Sequence, residues 1–129
     1  MPTLADIYCG YINCLNAQDW ENLGTYVGED VAYNGRRIGL EGYRQARKDE
    51  FREIPDLHFN IQILTADENV VASRLNFDIS PRGDFLGLPV NGKRISFSEN
   101  VFYEFEGGKI VSVWSVVDRA AVETQLAKG

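Results

Sequence analysis

The sequence is poor in the groups that build metal and disulfide sites. Its 129 residues contain two cysteines, one histidine and one methionine. Cys9 and Cys14 lie five apart in the first helical pattern and point to different faces, so they are not expected to pair. Free thiols fit a reducing, cytoplasmic setting. Two cysteines and His58 cannot complete a zinc site of usual composition, and no metal is expected. Basic residues are also outnumbered, with 13 Lys and Arg against 19 Asp and Glu, a net charge of −6. That sign repels phosphate backbones and anionic lipid surfaces, which argues against nucleic-acid and membrane partners. No apolar run approaches the ~20 residues that span a bilayer. The N-terminus has no basic segment leading into an apolar stretch, so no secretory signal is expected.

What is present is one domain's worth of periodic sequence, residues 1–129. Thr3 and Asp6 form a helix-start signal, and Leu4, Ile7, Tyr8, Tyr11, Ile12 and Leu15 repeat at helical spacing behind it. Asp19 is placed to cap a second, short helix carrying Trp20, Leu23, Tyr26 and Val27. Val31–Tyr33 reads as a short strand. Asn34-Gly35 is a tight-turn pair with Arg36, Arg37 and Ile38 returning. A third helix is expected from about Leu40 to Ile54, ended by Pro55. The period then changes to two. Leu57, Phe59, Ile61 and Ile63 alternate with His58, Asn60 and Gln62. Val71, Ser73, Leu75, Phe77 and Ile79 alternate with Arg74, Asn76 and Asp78. A Gly- and Pro-rich loop from Ser80 to Gly92 precedes a long strand, Lys93 to Glu106. Gly107-Gly108 turns the chain into a last strand, Lys109 to Asp118, and a closing helix follows from Arg119 to Leu126. Helices first and an antiparallel meander after them indicate an α+β fold, with helices on one face of a curved sheet. In the last strand Val111, Val113 and Val117 are assigned to one face and Ile110, Trp114 and Val116 to the other. Both faces are apolar, so a second copy of the chain is expected to cover the open one, unless the valines are scattered surface residues.

Asp118 ends an apolar strand. If its face lines a cavity, desolvation raises its pKa toward neutrality and suits it to proton transfer. Otherwise it is simply the cap of the final helix. Arg74, Asn76 and Asp78 share one strand face, as do Ser96, Ser98, Asn100 and Glu104. Each set is either a pocket floor or a solvated sheet face. Tyr33 and Trp114, with Asn100 and Phe102, complete the candidate ligand-binding set.

The segments Gly83–Phe97 and Gly108–Asp118, with Ile54-Pro55-Asp56-Leu57, resemble those of SnoaL-like polyketide cyclases and their ester-cyclase relatives. The resemblance runs from about Asp6 to Leu126. It implies the cone-shaped α+β barrel shared by nuclear transport factor 2 and ketosteroid isomerase, which usually dimerises. It also implies a cofactor-free activity in which a carboxylate at the position of Asp118 moves a proton during aldol closure of a small hydrophobic carbonyl or ester compound. Arg74 and Asn76 would orient that carboxylate or polarise the substrate. The family's histidine on the penultimate strand has no counterpart between Lys93 and Glu106. An epoxide-hydrolase branch of the fold carries Arg-x-Asp where this chain reads Arg74-Leu75-Asn76. The alternative readings of the same pattern are a dimeric, non-catalytic cone that binds an apolar ligand, and an isomerase or epoxide-hydrolase-like member of the same fold.

Overall fold

The computed structural model describes residues 2–128. Helix α1 (Leu4–Asn16) starts at a complete capping box: the Thr3 hydroxyl accepts the Asp6 amide at 3.1 Å, and the Asp6 carboxylate accepts the Thr3 amide at 3.0 Å. Its buried stripe is Tyr8, Tyr11, Ile12 and Leu15. The cysteines are both free, and the buried Cys14 donates to the Asp19 carbonyl at 3.2 Å. The second helix is shorter than the sequence suggests. It is a 3₁₀ segment, Trp20–Thr25, and Asp19 makes no side-chain cap bond to it. Val27 already belongs to strand β1 (Val27–Tyr33), which is correspondingly longer than expected. Asn34 and Gly35, at φ 49° and 83°, then form the tight turn into β2 (Arg36–Arg37). Helix α2 (Gly39–Glu53) packs against β1.

Four antiparallel strands follow as a meander: β3 (Asn60–Ala66), β4 (Val70–Ile79), β7 (Ile95–Glu106) and β8 (Lys109–Val117). Between β4 and β7 lies a small hairpin of β5 (Asp84–Phe85) and β6 (Leu88–Pro89). Strand β1 joins the meander by pairing parallel to β8, giving the order β2-β1-β8-β7-β4-β3. The sheet curves but does not close, so the expected barrel is an open cone. Helix α3 (Arg119–Lys128) ends the described chain against β7.

Two bulges decide which side chains face inward. In β3 the register steps from Ile61 opposite Leu75 to Ile63 opposite Arg74, leaving Gln62 as an extra residue. The alternation Leu57–Ile63 is broken there, and Ile63 turns to the outer face. His58 precedes the strand instead of lying in it; it is exposed, with Nδ1 2.9 Å from Asn60 Oδ1. In β8 the register steps from Ser112 opposite Glu104 to Ile110 opposite Phe105, with Val111 as the extra residue. Ile110 is therefore fully buried beside Val113, and not on the face of Trp114 and Val116 to which the sequence assigned it. Inward residues of β4 and β7, including Val71, Leu75, Phe77, Phe97, Val101, Tyr103 and Phe105, form the core under α1 and α2.

Candidate functional site

Inside the cone lies a partly open cavity of about 160 Å³. Its floor is the inner face of β4, β7 and β8, one wall is the C-terminal half of α2, and the β5–β6 hairpin roofs it. The walls are aromatic. Phe77 and Phe97 stack at 5.2 Å, Phe59 meets the edge of Phe77 at 5.4 Å, and Phe85 of the hairpin meets Phe97 at 5.2 Å. The Leu86 carbonyl accepts Arg119 Nε at 3.0 Å, which ties the hairpin to α3.

Three polar side chains break this lining: Tyr33, Glu50 and Glu99. Glu99 occupies an inward position of β7 between Phe97 and Val101, where alternation would place another apolar residue. Its Oε2 accepts the hydroxyl of Ser115, the inward residue of β8 one step before Val117. Burial raises the Glu99 carboxyl above its ordinary pKa; Ser115 and the Arg47 charge partly offset this. Burial also raises Glu50, against the opposing pull of Arg47, with the Glu99 charge adding to the rise. Tyr33 is raised chiefly by burial, partly offset by a hydrogen bond with Ser115. It therefore stays a neutral O–H donor at the cavity wall.

Behind Glu50 stands Arg47, one helical turn earlier on α2. Its Nε is 2.7 Å from Glu50 Oε1, and both atoms are enclosed with no aligned hydrogen bond, so the pair is held by charge more than by geometry. The guanidinium sits over the Tyr43 ring at 4.8 Å and the Tyr33 ring at 5.5 Å. The Tyr43 and Tyr11 hydroxyls touch, and the Tyr8 hydroxyl donates to Ser73 at 2.9 Å. Burial pushes Tyr8 up to about 12 and holds Tyr11 and Tyr103 well above the usual tyrosine value. The interior of the cone is thus a neutral tyrosine shell around one paired cation.

A second concavity lies on the outer face. It is an open cleft of about 580 Å³ bordered by Arg74, Asn76, Asp78, Ser96, Ser98 and Asp118. Arg74 donates to Gln62 at 2.8 Å and to Asn100 at 3.2 Å. Arg94 holds Asp78 through two bonds of 2.6 and 2.7 Å and keeps its carboxyl below the ordinary value. The structure thus brings Arg74, Asn76 and Asp118 around one cleft, but a hydrated one. Asp118 is exposed, its Oδ1 accepts the Ala121 amide at 3.1 Å, and its own amide donates to Ser98 at 2.9 Å. It is exposed and caps α3, the second of the two placements the sequence allowed it. Trp114 and Phe102 face each other across β8 and β7 on the same outer side, and Trp114 Nε1 donates to Glu104 at 2.6 Å. Of the candidates named from the sequence, Tyr33 alone lines the inner cavity. Glu50 and Glu99 were missed. The available signal was a charged residue at a core position of an otherwise regular pattern: Glu99 in phase with Ile95, Phe97 and Val101, and Glu50 in phase with Tyr43 and Ile54. Among the described residues, no group of three or more His, Cys, Asp or Glu side chains converges as a metal site, and no helix is long and apolar enough to cross a membrane.

Comparison with known proteins places this geometry. A SnoaL-like polyketide cyclase from Agrobacterium tumefaciens is 50% identical, with 98% of this chain and 99% of that one covered and a TM-score of 0.97. Wild-type IdmH from Streptomyces antibioticus shares the fold at 20% identity, with coverage of 98% and 99% and a TM-score of 0.83. TsrD from Streptomyces laurentii does so at 22% identity, with coverage of 93% and 91% and a TM-score of 0.80. A search of curated protein sequences returned no match. The family model described as SnoaL-like polyketide cyclase matches residues 5–126, and with that match the chain belongs to the SnoaL-like polyketide cyclase family.

Proposed function

We propose that this chain is a cofactor-independent, cyclase-type enzyme whose proton transfers are carried out by Glu99 in the cavity inside the cone. The observation that carries this reading is the Glu99 carboxyl itself. It is part-buried among phenylalanine rings, holds one oxygen against Ser115, and shares the cavity with the Tyr33 hydroxyl. A carboxylate with a raised pKa is the base needed to remove a proton from carbon next to a carbonyl. In that step a C–H bond breaks and the proton passes to Glu99, while the electron pair moves onto the carbonyl oxygen. The Tyr33 O–H is the donor available to that developing oxyanion. Intramolecular attack of the enolate on a second carbonyl forms the C–C bond, and Glu99 returns its proton to the new alkoxide. Glu50 is paired with Arg47, whereas the nearest partner of Glu99 is a neutral hydroxyl, and burial raises both carboxyls. Membership of the cyclase family supports the reaction class. In this reading Asp118, exposed at the start of α3, serves as the helix cap.

The test is exchange of the methyl protons of acetophenone in deuterium oxide, followed by proton NMR. The parent protein accelerates exchange, and the rate rises with pH through a carboxyl value above the ordinary range. Glu99→Gln lowers the rate by about 10²-fold or more, whereas Asp118→Asn, which keeps the cap, stays within about twofold. Loss in Asp118→Asn with Glu99→Gln intact overturns the assignment. Saturable binding of acetophenone without any exchange points instead to a binding module.

We also propose that a second copy of the chain covers the outer sheet face. Ile63, Phe102, Trp114 and Val116 are 44–70% exposed there, with Phe102 opposite Trp114 on the neighbouring strands β7 and β8 and Ile63 beyond β4 on β3. Such a clustered apolar patch on an otherwise acidic chain fits a self-complementary interface.

A further inference from the structure

We propose that the part of the substrate held in the inner cavity carries no negative charge and is no larger than one six-membered ring. This rests on the placement of the chemistry at Glu99.

Size comes first. The cavity holds about 160 Å³. An apolar cavity of roughly 150 Å³ encloses a single benzene, and pockets for drug-sized ligands begin near 300 Å³. A fused two- or three-ring skeleton cannot be enclosed without displacing the walls. Those walls are rings already in contact with one another. Phe77 and Phe97 lie within 21° of parallel, so the apolar surface offered is flat and suits a planar group.

Charge comes second. Two of the three polar groups on the lining are carboxyls, Glu50 and Glu99. The adjacent cation, Arg47, is committed to Glu50 and covered by the Tyr33 and Tyr43 rings. An anion entering this space meets two carboxyls and no free partner. The approach repeats the pattern. Between α2 and the hairpin a groove of about 270 Å³ leads to Glu50, bordered by Asp49, Glu53 and Asp84 against Arg82. A longer substrate can lay a tail there, but a carboxylate or phosphate tail is repelled. A cation instead meets Glu99, whose partner is the neutral Ser115 hydroxyl, beside aromatic rings, so the lining disfavours anions alone.

The experiment uses four probes that share or extend one ring: acetophenone, benzoate, 1-phenylethylamine and anthrone. Binding is followed by backbone amide shifts in the parent protein. Acetophenone is expected to saturate, with shifts confined to the cavity strands, α2 and the hairpin. Benzoate and the three-ring anthrone are expected to bind at least tenfold more weakly, and the protonated amine within threefold of acetophenone. Phe85→Ala opens the roof and should recover anthrone binding by tenfold or more; Glu99→Gln should tighten benzoate at least fivefold. Anthrone binding within threefold of acetophenone in the parent, or benzoate binding tighter than acetophenone or the amine, overturns the inference. Acetophenone held in the cavity without proton exchange upholds it and removes the proton-transfer reading. Acceleration of anthrone exchange over its own faster uncatalysed rate by the same factor as acetophenone upholds proton transfer and overturns this inference.

Discussion

Replacing Arg47 by methionine keeps the packed stem and removes the guanidinium. Glu50 then loses its cation while its Oε1 stays enclosed. Removing one partner of a fully buried ion pair costs about 3–5 kcal/mol, because the other charge is left unpaired. This pair is not fully buried. The Arg47 side chain is 12% exposed, but that of Glu50 is 42% exposed, toward the cavity mouth. Water screens that side, so about 2–3 kcal/mol is the expected loss. The loss of contact with the Tyr33 and Tyr43 ring faces falls within the same range. Unfolding entropy near 2.1 cal/mol/K per residue gives about 0.27 kcal/mol/K for this length, so Tm falls by about 7–11 °C at pH 7. The loss depends on pH. Glu50 without Arg47 escapes its unpaired charge by taking a proton, so the deficit shrinks as the solution is acidified toward pH 5. Urea titrations at pH 5 and 7, run on the parent, Arg47→Met and Arg47→Met/Glu50→Gln, measure each part. The double variant, with no charge left unpaired, should recover more than half of the pH 7 loss. A single-variant loss below about 1 kcal/mol, or a double variant no more stable than the single, refutes the reasoning.

Glu99→Gln should stabilise the fold above the acid range. The folded carboxyl binds its proton more tightly than the unfolded one, whose value is near 4.5. Its contribution is therefore fully present below that value and is lost as pH rises through the raised folded value. Urea midpoints from pH 4 to 8 should show the variant pulling ahead of the parent as pH rises, with a residual slope from Glu50; parallel curves would falsify the burial argument. Asp118→Ala should cost ~1 kcal/mol through loss of the α3 cap, and Asp118→Ser should return most of it, read by thermal unfolding. Phe102→Lys places a charge at the centre of the outer apolar patch. Sedimentation equilibrium should show twice the 14.5 kDa chain mass for the parent and the single mass for the variant; a monomeric parent removes the proposed interface.

The sequence is most informative where structure is set by neighbours in the chain. The Thr3–Asp6 capping box, the Asn34-Gly35 turn and the Gly107-Gly108 turn are each fixed by a few adjacent dihedrals, and each is present. The bulges at Gln62 and Val111 are not local. They arise where one strand's length must be reconciled with its partner's, so periodicity alone carried Ile63 and Ile110 to the wrong face. Site residues follow the same division. Asp118 satisfies two patterns at once, helix cap and strand-end acid, and only the position of the sheet's outer face tells which one water reaches. Glu99 and Glu50 stand on opposite sides of a cavity that does not exist until α2 is laid across the sheet. The resemblance to the cyclases carried the fold and the family. It could not carry a pair of carboxyls brought together only by packing.

The pairing of β1 with β8 has a consequence for the order of events at synthesis. Asn34 closes onto both backbone groups of Ser115, the closer contact at 2.7 Å, across a separation of 81 residues. At about 5–20 residues per second, a ribosome needs roughly 4–16 s to supply that partner. Until then β1 and its β2 hairpin wait with an unpaired edge, and the inner wall that carries Ser115 does not exist. The last-made strand is thus the one that both seals the sheet and completes the cavity. A nascent chain lacking β8 should be protease-sensitive throughout its N-terminal half, and a chain truncated before Ser115 should fail to refold as a unit instead of losing only its end.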